Sequence, residues 1–351
     1  MRNALNAGRL PVGLVGAGGI GRTHVERALR SDAVTIAAIA DPTDAGREFA
    51  TQVNIPWFAD HRDMLEKAAL GAALVATPNA THVSVGLDCI ARGLVTLVEK
   101  PIAESVEAAR RLCDAAAAAR VPLLVGHQRR HNPLVRKARE LVRGGVLGRP
   151  VSATVMCTWL KPDAYFDTAW RRQPGGGPVL INLIHDIDLL RHLLGEITAV
   201  QAMTSNQVRG FAVEDTAAVL LQFANGALGT VSVSDAVAAP WNYDLASGEA
   251  AHYPRQDIDS VYLCGTDGAL TLPRLEVWRY RGARGWHEAL CVERTAVHHL
   301  DPYTEQLRHL RAVAEGREQP LCSGVDGLGS LEAAQAVLTA AATGLPVRLV
   351  P

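Results

Sequence analysis

Apolar residues follow two different rhythms along this chain. Between Leu10 and about Leu124, short β-branched runs alternate with stretches of helical period. Strands are expected at 11–15, 34–40, 73–76, 95–98 and 122–126, and helices at about 21–30, 43–52, 61–68, 80–92 and 104–119. Strand–helix alternation of this kind predicts a parallel sheet with helices on both faces. Past residue 127 the rhythm changes. One amphipathic helix from Asn132 to Arg143 is followed by extended segments at 151–159, 197–208, 215–223, 227–235, 258–264, 268–272 and 275–280. Asn225-Gly226 separates two of them and signals a hairpin. Helices near 184–194 and 302–316 interrupt the strands, and a last one spans about 327–343. The expectation is α/β: a parallel-sheet domain over 1–128, then an α+β domain over 129–351 built on a large, mostly antiparallel open sheet. The last helix is a candidate to pack back on the first domain.

The first turn of that pattern carries chemistry. Gly16-Ala17-Gly18-Gly19-Ile20-Gly21 stands between the run Leu10 to Val15 and the helical stretch beginning at Thr23. In G-x-G-x-x-G the first glycine makes the tight turn, the second lets a pyrophosphate approach the backbone, and the third lets helix and strand pack closely. The helix N-terminus then holds the phosphates, with Gly19 and Ile20 in its first turn. The second strand ends in Asp41, twenty residues past Gly21. A carboxylate there accepts hydrogen bonds from an adenosine ribose and repels a 2′-phosphate, which favours NAD over NADP. Arg47, six residues further on, softens that preference. A Rossmann domain is therefore expected over the first 128 residues.

Bulk composition narrows the alternatives. The 351 residues are too many for one ordinary core, and 48% hydrophobic content with a net charge of −1 fits a globular protein. No basic run is long enough to hold a nucleic-acid backbone. No apolar window spans a bilayer, and Met1 to Arg9 read as a short disordered arm, not a signal peptide. Cysteines 89, 113, 157, 264, 291 and 322 are scattered without metal-ligand spacing. They read as reduced thiols of a cytoplasmic protein, and no metal site is expected. Lys67, Lys100, Lys137 and Lys161 are the only lysines among 35 basic residues, so a lysine in a crevice is not surface filler.

Two constellations stand at expected strand ends or helix starts. Thr77-Pro-Asn-Ala-Thr-His82 forms the turn after the third strand. In an open α/β sheet such turns face the ligand crevice, so Thr77, Asn79 and His82 are candidate cofactor-lining residues. Glu99-Lys100-Pro101 ends the fourth strand, and a residue before proline is held extended. The Lys100 ammonium there can polarise a carbonyl, stabilise an alkoxide, or bind Glu99 or a cofactor ribose. The second constellation is Gly175-Gly-Gly-Pro-Val-Leu-Ile-Asn182-Leu-Ile-His185-Asp186-Ile-Asp188. His185 and Asp188 share a helical face, and a histidine accepts a hydroxyl proton near neutral pH. Trp170, Arg171 and Trp241 add aromatic and polar surface of the kind that suits a polyhydroxylated ring; the bland alternative for Trp241 and Tyr243 is a loop or subunit anchor. Arg129 follows the last strand of the first domain, and Arg129 or Arg171 would explain an anionic substrate.

The glycine turn, Glu99-Lys100-Pro101, Trp170-Arg171, the three glycines and His185-Asp-Ile-Asp188, in this order, resemble the Gfo/Idh/MocA family of oxidoreductases over essentially the whole chain. The resemblance implies NAD(P)-dependent redox of sugars, cyclitols and related alcohols, and a homodimer or homotetramer built through the C-terminal sheet. It implies Lys100 and His185 as the catalytic pair, Asp188 as a substrate ligand, and Glu99, Trp170 and Arg171 beside the cofactor, with Asn182 and Trp241 on the substrate side. One departure matters: inositol-dehydrogenase-like members carry an aspartate four residues before the histidine, where this chain has Ile181. Asn182 hydrogen-bonds a hydroxyl but takes no proton, which leaves Asp186 or Asp188 to replace the missing acid. The same residues would also serve glycoside cleavage through transient oxidation by NAD, and the fold alone would serve a non-catalytic NAD or sugar sensor.

Overall fold

The computed structural model describes residues 8–250 and 252–350 and divides the chain into two compact units. The expected N-terminal arm lies, up to residue 7, outside the described residues. The first unit runs to His131 and takes in Leu300–Leu331; the second comprises Asn132–His299 and the segment from Glu332 onward. The late helix, assigned from sequence to the second domain, thus belongs to the first.

The first unit holds six parallel strands: β1 Leu10–Val15, β2 Val34–Ala40, β3 Trp57–Phe58, β4 Ala72–Val75, β5 Val95–Val98 and β6 Leu123–Val125. Their order is β3-β2-β1-β4-β5-β6, the doubly wound order whose reversal point at β1 and β4 opens a ligand crevice. Helices α1 Gly19–Leu29, α2 Asp44–Gln52, α3 His61–Lys67, α4 Asn79–Ala91 and α5 Val106–Ala119 cross between them. Central strands are apolar on both faces because helices cover both; all four residues of β4 and of β5 are buried. Side chains stop the chain from slipping at helix starts, with Thr43, Asp60 and Ser105 capping α2, α3 and α5.

The second unit begins with α6 Pro133–Arg143 and contains β7 Pro150–Thr158, α7 Ile184–Leu194, β8 Ile197–Ser205, β9 Thr216–Phe223, β10 Leu228–Ser234, α8 Tyr243–Ser247, β11 Val261–Gly265, β12 Ala269–Leu272, β13 Glu276–Arg279 and β14 Cys291–Arg294. The late helix α9 Pro302–Ala314 belongs to the first unit; α10 Gly324–Thr343 is divided between the units, and β15 Val347–Arg348 completes the second sheet. Nine strands pair in the order β14-β13-β12-β11-β7-β10-β9-β8-β15, with only β7 and β10 parallel. The β9–β10 hairpin closes through Ala224-Asn225-Gly226, with the Asn225 side chain accepting from Ala227 N. Alternation gives the sheet two faces. Val219, Leu221, Phe223, Val231 and Val233 face the core with Leu183, Ile187 and Leu190. On the other face Met203, Leu220, Leu228, Tyr262 and Val292 are exposed.

No helix among the described residues is long and apolar enough to cross a membrane. Cys89, Cys157 and Cys322 are buried as expected of core thiols, while Cys264 is exposed.

Candidate functional site

In the first unit a cleft of about 1040 Å³ opens where β1 and β4 diverge. Gly16 turns there with φ +94°, and a Cβ on it would stand 2.6 Å from Ala76 O. A Cβ on Gly21 would collide with Gly16 O, so the helix can lie this close to the strand only with glycine at both positions. Gly18 and Gly19 differ: nothing lies within 4 Å of where their Cβ would be. The space in front of α1 is open, and α1 starts with neither a capping side chain nor an acid in its first turn. An N-terminus left bare in this way fits a pyrophosphate. Ile20 and Thr77 line the same cleft, and the buried Thr77 hydroxyl has no hydrogen-bond partner among the described residues.

Asp41, just past the end of β2, lines the same cleft. Its Oδ2 accepts from Ala17 N at 2.7 Å, and its Oδ1 from Thr43 N at 2.9 Å and the Thr43 hydroxyl at 2.5 Å. A carboxylate has about four acceptor sites. One therefore remains on Oδ2, and rotation of the Thr43 hydroxyl frees a second, the two that a ribose diol requires. Arg22 also lines the cleft, anchored on Ala17 O and Ala45 O and stacked 4.6 Å above the Phe49 ring. Arg47 is turned to the Trp57 ring, 5.9 Å from its centroid. The residues present fit a dinucleotide, and they fit NAD better than NADP.

The turns after β4 and β5 carry the other candidates of the first unit. Asn79 opens α4 and is only half-buried, outside the lining of the cleft. His82 corrects the sequence reading. It is 1% exposed and does not line the cleft; its Nδ1 lies 2.8 Å from Pro101 O and its Nε2 2.8 Å from Thr77 O. Burial lowers its pKa, against the two carbonyls and the Glu99 and Glu104 charges, which favour the cation. Glu99 is buried against His24, with 2.7 Å between Oε1 and Nε2. Burial works against its charge, but His24 and Lys100 outweigh burial and hold the carboxyl below its ordinary range. Lys100 is half-buried and joined to Pro101 by a cis peptide. Arg129, expected to reach the crevice, is buried in the short 3₁₀ turn Gln128–His131.

The second unit carries the other candidates. Trp170 is half-exposed, and Arg171 stacks on the Tyr165 ring at 3.9 Å while its Nη1 donates to Tyr165 O at 2.7 Å. A π-helical turn, Val179–Leu183, leads into α7 and carries Ile181 and Asn182; His185 is the second residue of α7. Such turns concentrate at functional sites. Ile181, Asn182 and His185 are partly exposed, whereas Asp186 and Asp188 are each 1% exposed. Asp188, expected as a substrate ligand, is a buried group of α7. Trp241 is 43% exposed and its carbonyl accepts from both Thr158 N and Oγ1. Tyr243 is a core residue.

The sequence reading missed Lys161 as a site residue. It follows β7, is almost fully buried, donates to Asn182 Oδ1 at 2.7 Å and pairs with Asp235 at 3.3 Å. Burial lowers its pKa, and Asp235 opposes the shift. With Lys161 on the amide oxygen, Asn182 keeps its NH2 and one oxygen lone pair for a ligand. The one signal available beforehand was the rarity of lysine.

Comparison with known proteins agrees with this geometry. The profile described as an oxidoreductase family with NAD-binding Rossmann fold matches residues 10–127, and that of the GFO/IDH/MocA C-terminal domain matches residues 135–271. The rhizopine catabolism protein MocA of Rhizobium meliloti is 34% identical over 229 residues, 64% of this chain and 71% of that protein. An inositol 2-dehydrogenase of Rubrobacter xylanophilus is 26% identical, covering 97% of this chain and 93% of its own. The solved WlbA dehydrogenase of Bordetella pertussis, in complex with NADH and UDP-GlcNAcA, superposes with TM-score 0.80 at 23% identity, covering 98% of this chain and 99% of that one. Fold, cofactor cleft and both matched domains place the chain in the Gfo/Idh/MocA family of NAD-binding oxidoreductases.

Proposed function

We propose that the protein is an NAD-dependent dehydrogenase oxidising a hydroxyl of a cyclic polyol, sugar or ring diol. The observation that carries the reading is the Glu99-Lys100-Pro101 turn, which sets a half-buried lysine next to an ionised carboxylate at the end of β5, one strand from the dinucleotide cleft. Bound NAD supplies the hydride acceptor. Lys100 stabilises the alkoxide through its positive charge, and His185 takes the hydroxyl proton near neutral pH. Asn182 cannot take that proton, and Ile181 stands where an aspartate would have helped. Trp170, Asn182 and Trp241 are the substrate-side groups; Arg129, Asp186 and Asp188 act from within the protein. Aromatic faces among a few polar groups suit a ring bearing several hydroxyls, as do relatives named for inositol and rhizopine. Nothing favours a transient-oxidation hydrolase or a sensor.

The test is a panel of cyclitols, aldoses, uronates and cyclic dihydrodiols read by NADH absorbance. With the best substrate, Lys100→Ala and His185→Ala are each expected to lower kcat about 100-fold or more, with NAD affinity within about threefold of wild type. Wild-type turnover in both variants would sink the assignment. We also infer residence in the cytoplasm, supported by six cysteines scattered along the sequence without paired spacing. Self-association through the second sheet is supported by its exposed apolar face.

A further inference from the structure

Two buried imidazoles grip the Glu99-Lys100-Pro101 turn, and hydride transfer itself uses neither. His24 comes from α1, the helix that opens at Gly18. It is fully buried, hydrogen-bonded to Glu99 Oε1 at 2.7 Å, and meets the Tyr303 ring edge-on with 5.5 Å between centroids. His82 comes from α4, the helix that follows the Thr77 turn, and stands between Thr77 O and Pro101 O at 2.8 Å from each. Gly18 and Thr77 both line the dinucleotide cleft. Two of the helices that border the cleft, α1 and α4, therefore each send one histidine to the lysine turn.

We propose that His24 and His82 are positioning residues that transmit occupancy of the dinucleotide seat to Lys100. His82 packs between two backbone carbonyls, donating to one of them when neutral and to both when protonated, so a shift of the Thr77 turn presses through the ring on the Pro101 carbonyl, and with it on Lys100. Glu99 and Glu104 act on this imidazole with their charges. His24 acts on the other side: its hydrogen bond keeps Glu99 ionised in a fully buried place, and Glu99 in turn accepts from Lys100 N at 3.3 Å. A carboxylate held charged beside an ammonium favours the charged lysine. In this arrangement Lys100 is set before the alcohol arrives. The proposal rests on Lys100 being the charge that stabilises the alkoxide, but its test does not require turnover.

Four lysines in the chain make carbon-13 NMR of ε-labelled lysine a direct readout, with Lys100→Arg identifying the Lys100 signal. In the wild type, saturation with NAD is expected to move that signal. In His82→Leu the NAD-induced movement should fall at least about twofold while NAD affinity stays within about threefold. In His24→Leu the Lys100 titration should shift to lower pH by about one unit, because Glu99 loses the partner that keeps it charged. A purely structural role would lower the melting temperature and leave both readouts as in the wild type. The glutamine variants, closer in size, give the same readings if a leucine variant does not fold. Folded variants at both positions whose Lys100 signal titrates and responds to NAD as in the wild type overturn the proposal. Full turnover in Lys100→Ala would instead remove the catalytic reading and leave these signals to be judged separately.

Discussion

Asp41 and His82 show how differently single residues speak from sequence. Asp41 stands out because the ribose role proposed for it depends on a spacing along the chain. The structure adds Thr43 and Ala17 as the groups that aim it. Asp41→Ser should weaken NAD binding about tenfold, the loss of a hydrogen bond to a charged group, and narrow the preference over NADP by at least as much. Equilibrium titration with both cofactors measures this, and unchanged selectivity would contradict the ribose assignment. His82 was legible as a histidine in a turn, but not as a brace, because its two partners are backbone carbonyls 5 and 19 residues away. Its lowered pKa has a consequence for stability. Between its folded value and the ordinary imidazole value of about 6.5, the unfolded chain binds the proton and the folded one does not. Stability contributed by the neutral ring is therefore present above about pH 6.5 and lost as pH falls below it. Melting curves between pH 7.5 and 5.5 should show a shallower acid decline for His82→Gln than for the wild type.

Elements were readable in proportion to their length. Helices and strands of four or more residues in the first unit announce themselves by period, and the glycine turn by its context. Strands β3 and β15 have two residues each, too few for any alternation to register; β14, four residues after an arginine- and glycine-rich loop, and the five-residue helix α8 were missed as well. The π-helical turn before α7 was equally hidden, since Val-Leu-Ile-Asn-Leu has the composition of an ordinary helical turn. Within the glycine turn, two substitutions separate folding from binding. Gly21→Ala puts a methyl into Gly16 O and should cost about 3 kcal/mol in stability. Gly18→Ala meets no protein atom, with φ −71° that alanine tolerates. It should fold as wild type yet bind NAD about tenfold or more weakly, because the methyl occupies the space of the pyrophosphate. Thermal denaturation with NAD titration of both variants decides the matter; equal effects on both properties would contradict it.

At the scale of the molecule, the two kinds of sheet were legible in outline, since α/β and antiparallel grammars differ in period and in spacing. What one sequence did not reveal is that the first unit is discontinuous, because α9 has the amphipathicity of any surface helix whichever sheet it covers. The open face of the second sheet bears on assembly. Leu220 and Leu228 lie on it at 56% and 58% exposure, and the self-association we propose through this sheet would cover them. Leu220→Glu with Leu228→Glu should convert an oligomer to a monomer in light scattering without lowering the melting point of the subunit by more than about 1 kcal/mol equivalent. A wild type that is already monomeric would end the assembly reading.

The return of α9 to the first unit also governs how the protein comes into being. Leu307, Leu310 and Val313 are buried in the same core as Val12, Ile36 and Leu97. A ribosome that has released residues up to His131 has made every strand of that sheet but not the helix that covers part of it. All of residues 132–299 must be synthesised first. The half that begins folding earliest is thus the half finished late, and a chain cut short before Leu300 keeps the glycine turn while leaving apolar surface bare for chaperones and proteases to find.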